Sequence, residues 1–153
     1  MTIELRSEHP SGPALSRRVR ARARALLAAL GRTGSSLSIL LTTDGRIRTL
    51  NRRWRSVDHA TDVLSFPAHA PPGSGPDLGD LAISLDTARR RAVRAGRSVG
   101  AEVDRYLVHG LLHLAGYDHQ RPAQAREMAR LEDEILGRAG MVADGLGTPS
   151  RVR

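Results

Sequence analysis

His109-Gly110-Leu111-Leu112-His113-Leu114-Ala115-Gly116-Tyr117-Asp118-His119 is the stretch on which the reading of the whole chain turns. It carries three of the six histidines in the sequence. His109 and His113 are four residues apart, and on a helix residues at that spacing lie one above the other on the same face. Both imidazoles can therefore be offered to one metal ion. Gly116 can enter the left-handed conformation and stop the helix. The chain then turns back and brings in His119 as a third ligand. Three nitrogen ligands leave a tetrahedral zinc one open position, the pattern of a catalytic centre rather than a closed structural one. From Tyr106 to Ala115 the helix is apolar nearly all round, which predicts a buried, central element. Burying three imidazoles without partners is costly, so the metal reading is preferred to one of core histidines.

The zinc-peptidase pattern H-E-x-x-H-x-x-G-x-x-H has the same histidine spacing and the same glycine. Here Gly110 stands where that pattern keeps its general base. The substitution leaves the metal site intact and counts against a peptidase. Glu102, two turns before His109, falls on the same face at 3.6 residues per turn. It is read either as a hydrogen-bond acceptor or stand-in base near the metal, or as a first-turn carboxylate favoured by the helix dipole. Asp118 is read as a hydrogen-bond partner of a ligand histidine or as part of the turn.

Outward from this helix, Thr2 to Ser7 reads as a short strand, followed by a turn in which His9 is taken for a surface histidine. Ala14 to Leu30 is a helix with Leu15, Val19, Leu26 and Leu30 on one stripe. Ser35 to Thr42 alternates as a strand. Asp44 is read as the cap of a helix to about Arg55, on which Ile47, Leu50 and Trp54 recur at helical spacing, with Trp54 assigned to the core in preference to a base-stacking surface. Asp62 to Phe66 and Gly79 to Leu85 are strands joined by a Pro- and Gly-rich loop that contains His69, taken as incidental. Asp86 is read as capping a helix to about Ala95, and Pro122 as opening a last one with Ala125, Met128, Leu131 and Ile135 as its apolar stripe. The expected fold is α+β: a small mixed four-stranded sheet packed with five or six helices, the central helix carrying the metal ligands. One domain is expected over residues 1–141, and residues 142–153 read as a disordered tail.

The formal charge is +8, with basic residues outnumbering acidic ones 24 to 16 and every basic residue an arginine. The excess suggests a polyanionic partner, nucleic acid first. Codon bias can account for arginine in place of lysine, but not for the excess. Two arginine clusters stand out, one from Arg17 to Arg24 and one from Arg89 to Arg97. Each is read either as a phosphate-contacting surface or as a solvated helix face, the commoner case. Aromatic residues are few, so a base-stacking platform is not expected. No apolar run is long enough to span a membrane, no signal-peptide pattern opens the chain, and the absence of cysteine excludes thiolate ligands. A cytoplasmic protein is expected.

The stretch from His109 to His119 resembles the YbeY family of zinc-dependent endoribonucleases and ribosomal RNA maturation factors. Leu50-Asn51-Arg52-Arg53-Trp54-Arg55 with Thr61-Asp62-Val63-Leu64-Ser65-Phe66-Pro67, and then Leu78-Gly79-Asp80-Leu81-Ala82-Ile83-Ser84, are similar to two further signatures of that family, in the same order. The resemblance implies one zinc ion held by His109, His113 and His119, with Arg55 and His113 as catalytic residues. It also implies cleavage of single-stranded RNA in ribosomal RNA maturation, with ribosomal RNA and the small ribosomal subunit as partners. Attack by a zinc-activated water and attack by the RNA 2′-hydroxyl both remain open. Two other readings stand beside it: a metallopeptidase-like hydrolase, and a ribosome-assembly protein that binds RNA and whose zinc is structural.

Overall fold

The computed structural model describes residues 2–68, 77–116 and 122–141. In order, the elements are β1 (Thr2–Ser7), α1 (Gly12–Ala29), β2 (Ser36–Thr42), α2 (Asp44–Arg55), β3 (Val63–Pro67), β4 (Asp77–Ser84), α3 (Leu85–Ala95), α4 (Val99–Leu114) and α5 (Pro122–Arg138). The four strands form one sheet in the order β1-β2-β4-β3. β1 and β4 both run parallel to β2, and β3 pairs antiparallel with β4 at the far edge. The expected α+β fold with a mixed four-stranded sheet is what forms, with five helices among the described residues.

Alternation along the strands sorts the side chains onto two faces. Leu37, Ile39 and Leu41 of β2 and Leu81 and Ile83 of β4 join the main core with α1, α3, α4 and α5. The opposite face presents Leu40, Leu64, Phe66 and Ala82 to a smaller cluster under α2, around Ile47. The helices thus divide unequally over the sheet, and among the described residues α2 alone attends the second face. Beside α2 that face opens into a groove of about 660 Å³ floored by Ser38, Leu40, Asp80 and Ala82.

Three helix starts are set by hydroxyl side chains. Thr43, Ser84 and Ser98 each accept a hydrogen bond from the backbone N–H three residues on, the capping bond that hydroxyls supply best. Asp44 and Asp86 are therefore not the caps expected of them. Their carboxylates face each other's elements instead. Asp44 accepts from Ser84 Oγ at 2.6 Å and Thr87 Oγ1 at 2.7 Å, and pairs with Arg90 at 2.8 Å. Burial opposes ionisation there, but these three bonds outweigh it and hold the Asp44 carboxyl below its usual range. Asp86 accepts the backbone N–H of Asp44 at 2.9 Å, the main reason its carboxyl is also lowered.

His9 belongs to the same network and is not a surface residue. It is 7% exposed, its Nε2 lies 2.8 Å from Asp86 Oδ1, and its Nδ1 accepts the backbone N–H of Ser11. An Nδ1 that accepts leaves the proton on Nε2, which donates to Asp86. One imidazole thus fastens the turn after β1 to the start of α3. Trp54, expected in the core, is also elsewhere: it is 62% exposed at the last turn of α2. The loop histidine His69, Ala125 at the start of the α5 apolar stripe and the tail 142–153 lie outside the residues whose side chains are described. No helix among the described residues is long and apolar enough to cross a membrane.

Candidate metal centre and strand edge

α4 is central because it is packed on almost every side. Val103, Leu107, Val108, Leu111 and Leu112 are fully enclosed between the sheet, α1, α3 and α5. Only the stripe carrying His109 and His113 is half-exposed. Gly116, with φ of 102°, takes the left-handed conformation that stops the helix, as its position predicts.

The two histidines converge. His109 Nε2 and His113 Nε2 are 3.2 Å apart, with the rings edge to face. Two nitrogens bound to one tetrahedral zinc at about 2.0–2.1 Å each stand about 3.3 Å apart, so the pair has the separation that ion requires. The remaining ring nitrogen of His109 is fixed as well. Its Nδ1 lies 2.5 Å from Glu132 Oε2, across the interface between α4 and α5. A carboxylate on one ring nitrogen sets the tautomer so that the other nitrogen presents its lone pair, the usual outer support of a metal-bound histidine. The hydrogen bond and the charge of Glu132 raise the His109 pKa above imidazole's ordinary value, against burial. Sequence spacing could not single out Glu132. It stands in an acidic run 23 residues further on, and only the docking of α5 brings it in. The third expected ligand, His119, lies outside the described residues with its neighbour Asp118. Among the described residues no group of three or more metal-binding side chains forms.

Gly110 faces inward. A methyl group built on it would stand 2.6 Å from Leu81 Cδ2 and 3.3 Å from Val63 Cγ2. The helix lies against the sheet there because this residue has no side chain. A glutamate at this position would be driven into the sheet and could not serve a metal on the histidine face, which removes the geometric basis of the peptidase reading. Gly110→Ala is expected to lower stability by about 1–3 kcal/mol through overpacking, read as a lower denaturation midpoint at unchanged m value. An unshifted midpoint would mean that α4 has room to spare.

Glu102 does not stand free beside the metal face. It is 5% exposed and bonded to Arg97 at 2.8 Å, near the start of the helix. Burial, with this carboxylate nearby, pushes the Tyr106 phenol well up. Arg55 is placed at the rim of the sheet. Its Nη2 donates to the Ser65 carbonyl at 2.7 Å, on the open edge of β3, and its guanidinium lies 5.9 Å over the Phe66 ring. It satisfies a strand carbonyl. The Ser65 hydroxyl donates at 3.4 Å to the Gly110 carbonyl, next to His109. One strand residue therefore links the arginine to the histidine helix.

The arginine clusters are largely engaged within the fold. Arg18 and Arg22 pair with the buried Asp104 at 2.8 and 3.5 Å, and Arg20 donates to the Ile3 carbonyl. Arg90, Arg91 and Arg97 pair with Asp44, Asp62 and Glu102.

Both the sequence and the fold are similar to those of known proteins. A sequence model of the family described as Endoribonuclease YbeY matches residues 9–140. The chain is 62% identical over 153 residues to a protein named Endoribonuclease YbeY from Anaeromyxobacter sp. (strain Fw109-5), covering 99% of this chain and 80% of that protein. It is 48% identical over 155 residues to a protein of the same name from Myxococcus xanthus (strain DK1622), covering 99% and 52%. The fold is similar to the solution structure of TM1509 from Thermotoga maritima, with a TM-score of 0.62, 22% identity, and coverage of 90% and 89% of the two chains.

Proposed function

The chain belongs to the endoribonuclease YbeY family, and from that premise we propose that His109, His113 and His119 hold one zinc ion at which single-stranded RNA is cut. As a member of that family it is a metal-dependent endoribonuclease of ribosomal RNA maturation. The observation that carries the zinc reading is the 3.2 Å approach of the two Nε2 atoms, with Glu132 fixing the far side of one ring. His119, beyond the helix-ending Gly116, supplies the third nitrogen. The small ribosomal subunit is the setting proposed for the substrate, and residues 1–141 the single domain that acts on it. The family match over residues 9–140 supports that boundary.

Bound there, the ion supplies an acidified water and an electrophile for a phosphoryl oxygen. His109 and His113 orient the site from one rigid helix, which gives tighter positioning than a loop. Arg55 meets the negative charge that develops on the phosphoryl group. A guanidinium has five N–H donors in a planar fork. One is engaged by the Ser65 carbonyl, and this anchors the fork while the others remain for phosphate oxygens. Glu132 is occupied in orienting His109, and attack by water and attack by the RNA 2′-hydroxyl are both compatible with this arrangement.

The test is cleavage of a short single-stranded RNA by purified protein before and after removal of metal by a chelator. Cutting that is lost with the metal and restored by stoichiometric zinc is expected. Cutting that survives metal removal would refute the reading.

A further inference from the structure

The last turn of α2 carries a feature that cleavage at the histidines does not use. Trp54, the single tryptophan of the chain, leaves 62% of its surface exposed at the mouth of the groove on the second sheet face. Exposing a large aromatic ring forfeits the stabilisation that burying it would give. The guanidinium of Arg53 lies 5.3 Å from its centroid, and that of Arg55 lies 5.9 Å from the neighbouring Phe66 ring.

We propose that Trp54, flanked by Arg53 and Arg55, is a base-stacking platform that receives one nucleotide of the RNA strand leading to the metal centre. This rests on the RNA reading above. The charges on α2 select a nucleic acid. Arg46 is paired with Glu8, and Arg48 and Arg52 with Asp58. Arg53 and Arg55 have no carboxylate partner among the described residues. The two arginines with charge to offer are therefore the two beside the exposed ring. A ring face for a base between two guanidinium groups for phosphates is the combination by which single strands are held. Glu4, Asp77 and Asp80 line the rest of the groove together with Arg6 and Arg46, the two arginines already facing Glu8, so its interior offers phosphates no net attraction and the unpaired charge lies on the α2 rim. That rim leads to Arg55, whose bond to Ser65 joins it to the histidine helix.

Because Trp54 is the only tryptophan, its emission reports the stacking directly. The experiment is rapid mixing of the full-length protein with a short fluorescein-labelled oligouridylate, read before the strand is cut by both tryptophan emission and anisotropy. Quenching on binding is expected. Trp54→Ala should weaken binding about 5- to 150-fold, the equivalent of about 1–3 kcal/mol for one stacked base. The dependence on salt should be unchanged, because no phosphate contact is removed. Trp54→Phe should recover most of the affinity. An exposed ring can be replaced without unfolding the chain, and unchanged circular dichroism would show it. If wild type and Trp54→Ala bind the oligonucleotide equally, with unaltered emission, the platform is refuted and the ring serves another partner, while the RNA reading stands. If wild type binds no single strand, both fall together.

Discussion

Replacing His113 by alanine is expected to abolish RNA cleavage and stoichiometric zinc binding while leaving the fold in place. Partners one bond removed from a metal change affinity or activity by about 10–100-fold when lost. Loss of a direct ligand should exceed that, so a fall of at least about a hundredfold in cleavage is the threshold. The fold should persist because α4 is not held by its histidine stripe. Its other faces are closed by Val103, Leu107, Leu111 and Leu112 against the sheet and three helices. The half-exposed His113 ring adds little to that contact. The melting temperature should therefore stay within about 4 °C of the metal-free wild type, the shift that about 1 kcal/mol gives in a chain of this size. Zinc content, cleavage and melting measured on one preparation separate the competing readings. A variant that has lost both metal and its cooperative melt would make the zinc structural, as the assembly-protein reading requires. A variant that keeps cutting would remove the histidines from the chemistry.

The metal-bearing helix was legible in the sequence because everything that defines it is local. Ser98 at its start, the apolar run through Leu112, the four-residue histidine spacing and Gly116 at its end all lie within one element. The same holds for the strands, whose alternation is local too. What escaped depends on packing between distant elements. Trp54 continues the helical spacing of Ile47 and Leu50, so periodicity assigns it to the core. The last turn of α2, however, stands beside the open groove of the second sheet face, where no further helix among the described residues covers it. His9 looked like a turn residue because its partner, Asp86, is 77 positions away. The first arginine cluster left two readings open, a solvated face or a phosphate surface, because Asp104, which engages Arg18 and Arg22, comes from another helix. Asp44 and Asp86 illustrate a subtler failure. Both sit at helix starts as capping residues do, yet a hydroxyl one or two positions earlier takes the cap, and the carboxylates are used to join α2 to α3. Each miss is a side chain whose role was decided by a partner that composition and spacing do not locate.

Glu132→Gln should lower zinc affinity by about 10–100-fold, with a parallel loss of cleavage at limiting zinc. Gln keeps the volume and can still accept the His109 Nδ1–H through its amide oxygen, so α5 should remain docked through Met128, Ile135 and Leu136. What it removes is the charge. An anionic acceptor makes the imidazole more basic and its opposite nitrogen a better donor to the metal. A neutral amide does this less, and it can also turn its NH2 group toward the ring and favour the wrong tautomer. The deficit should therefore appear as a weaker zinc dissociation constant in competition with a chromophoric chelator, and saturating zinc should restore most of the cleavage. That recovery distinguishes a positioning residue from a catalytic one: a residue that transferred a proton would leave the rate low however much zinc was added. A Gln variant with unchanged zinc affinity would mean that the 2.5 Å contact between Glu132 and His109 only joins two helices. The orientation of His109 would then have to come from α4 alone.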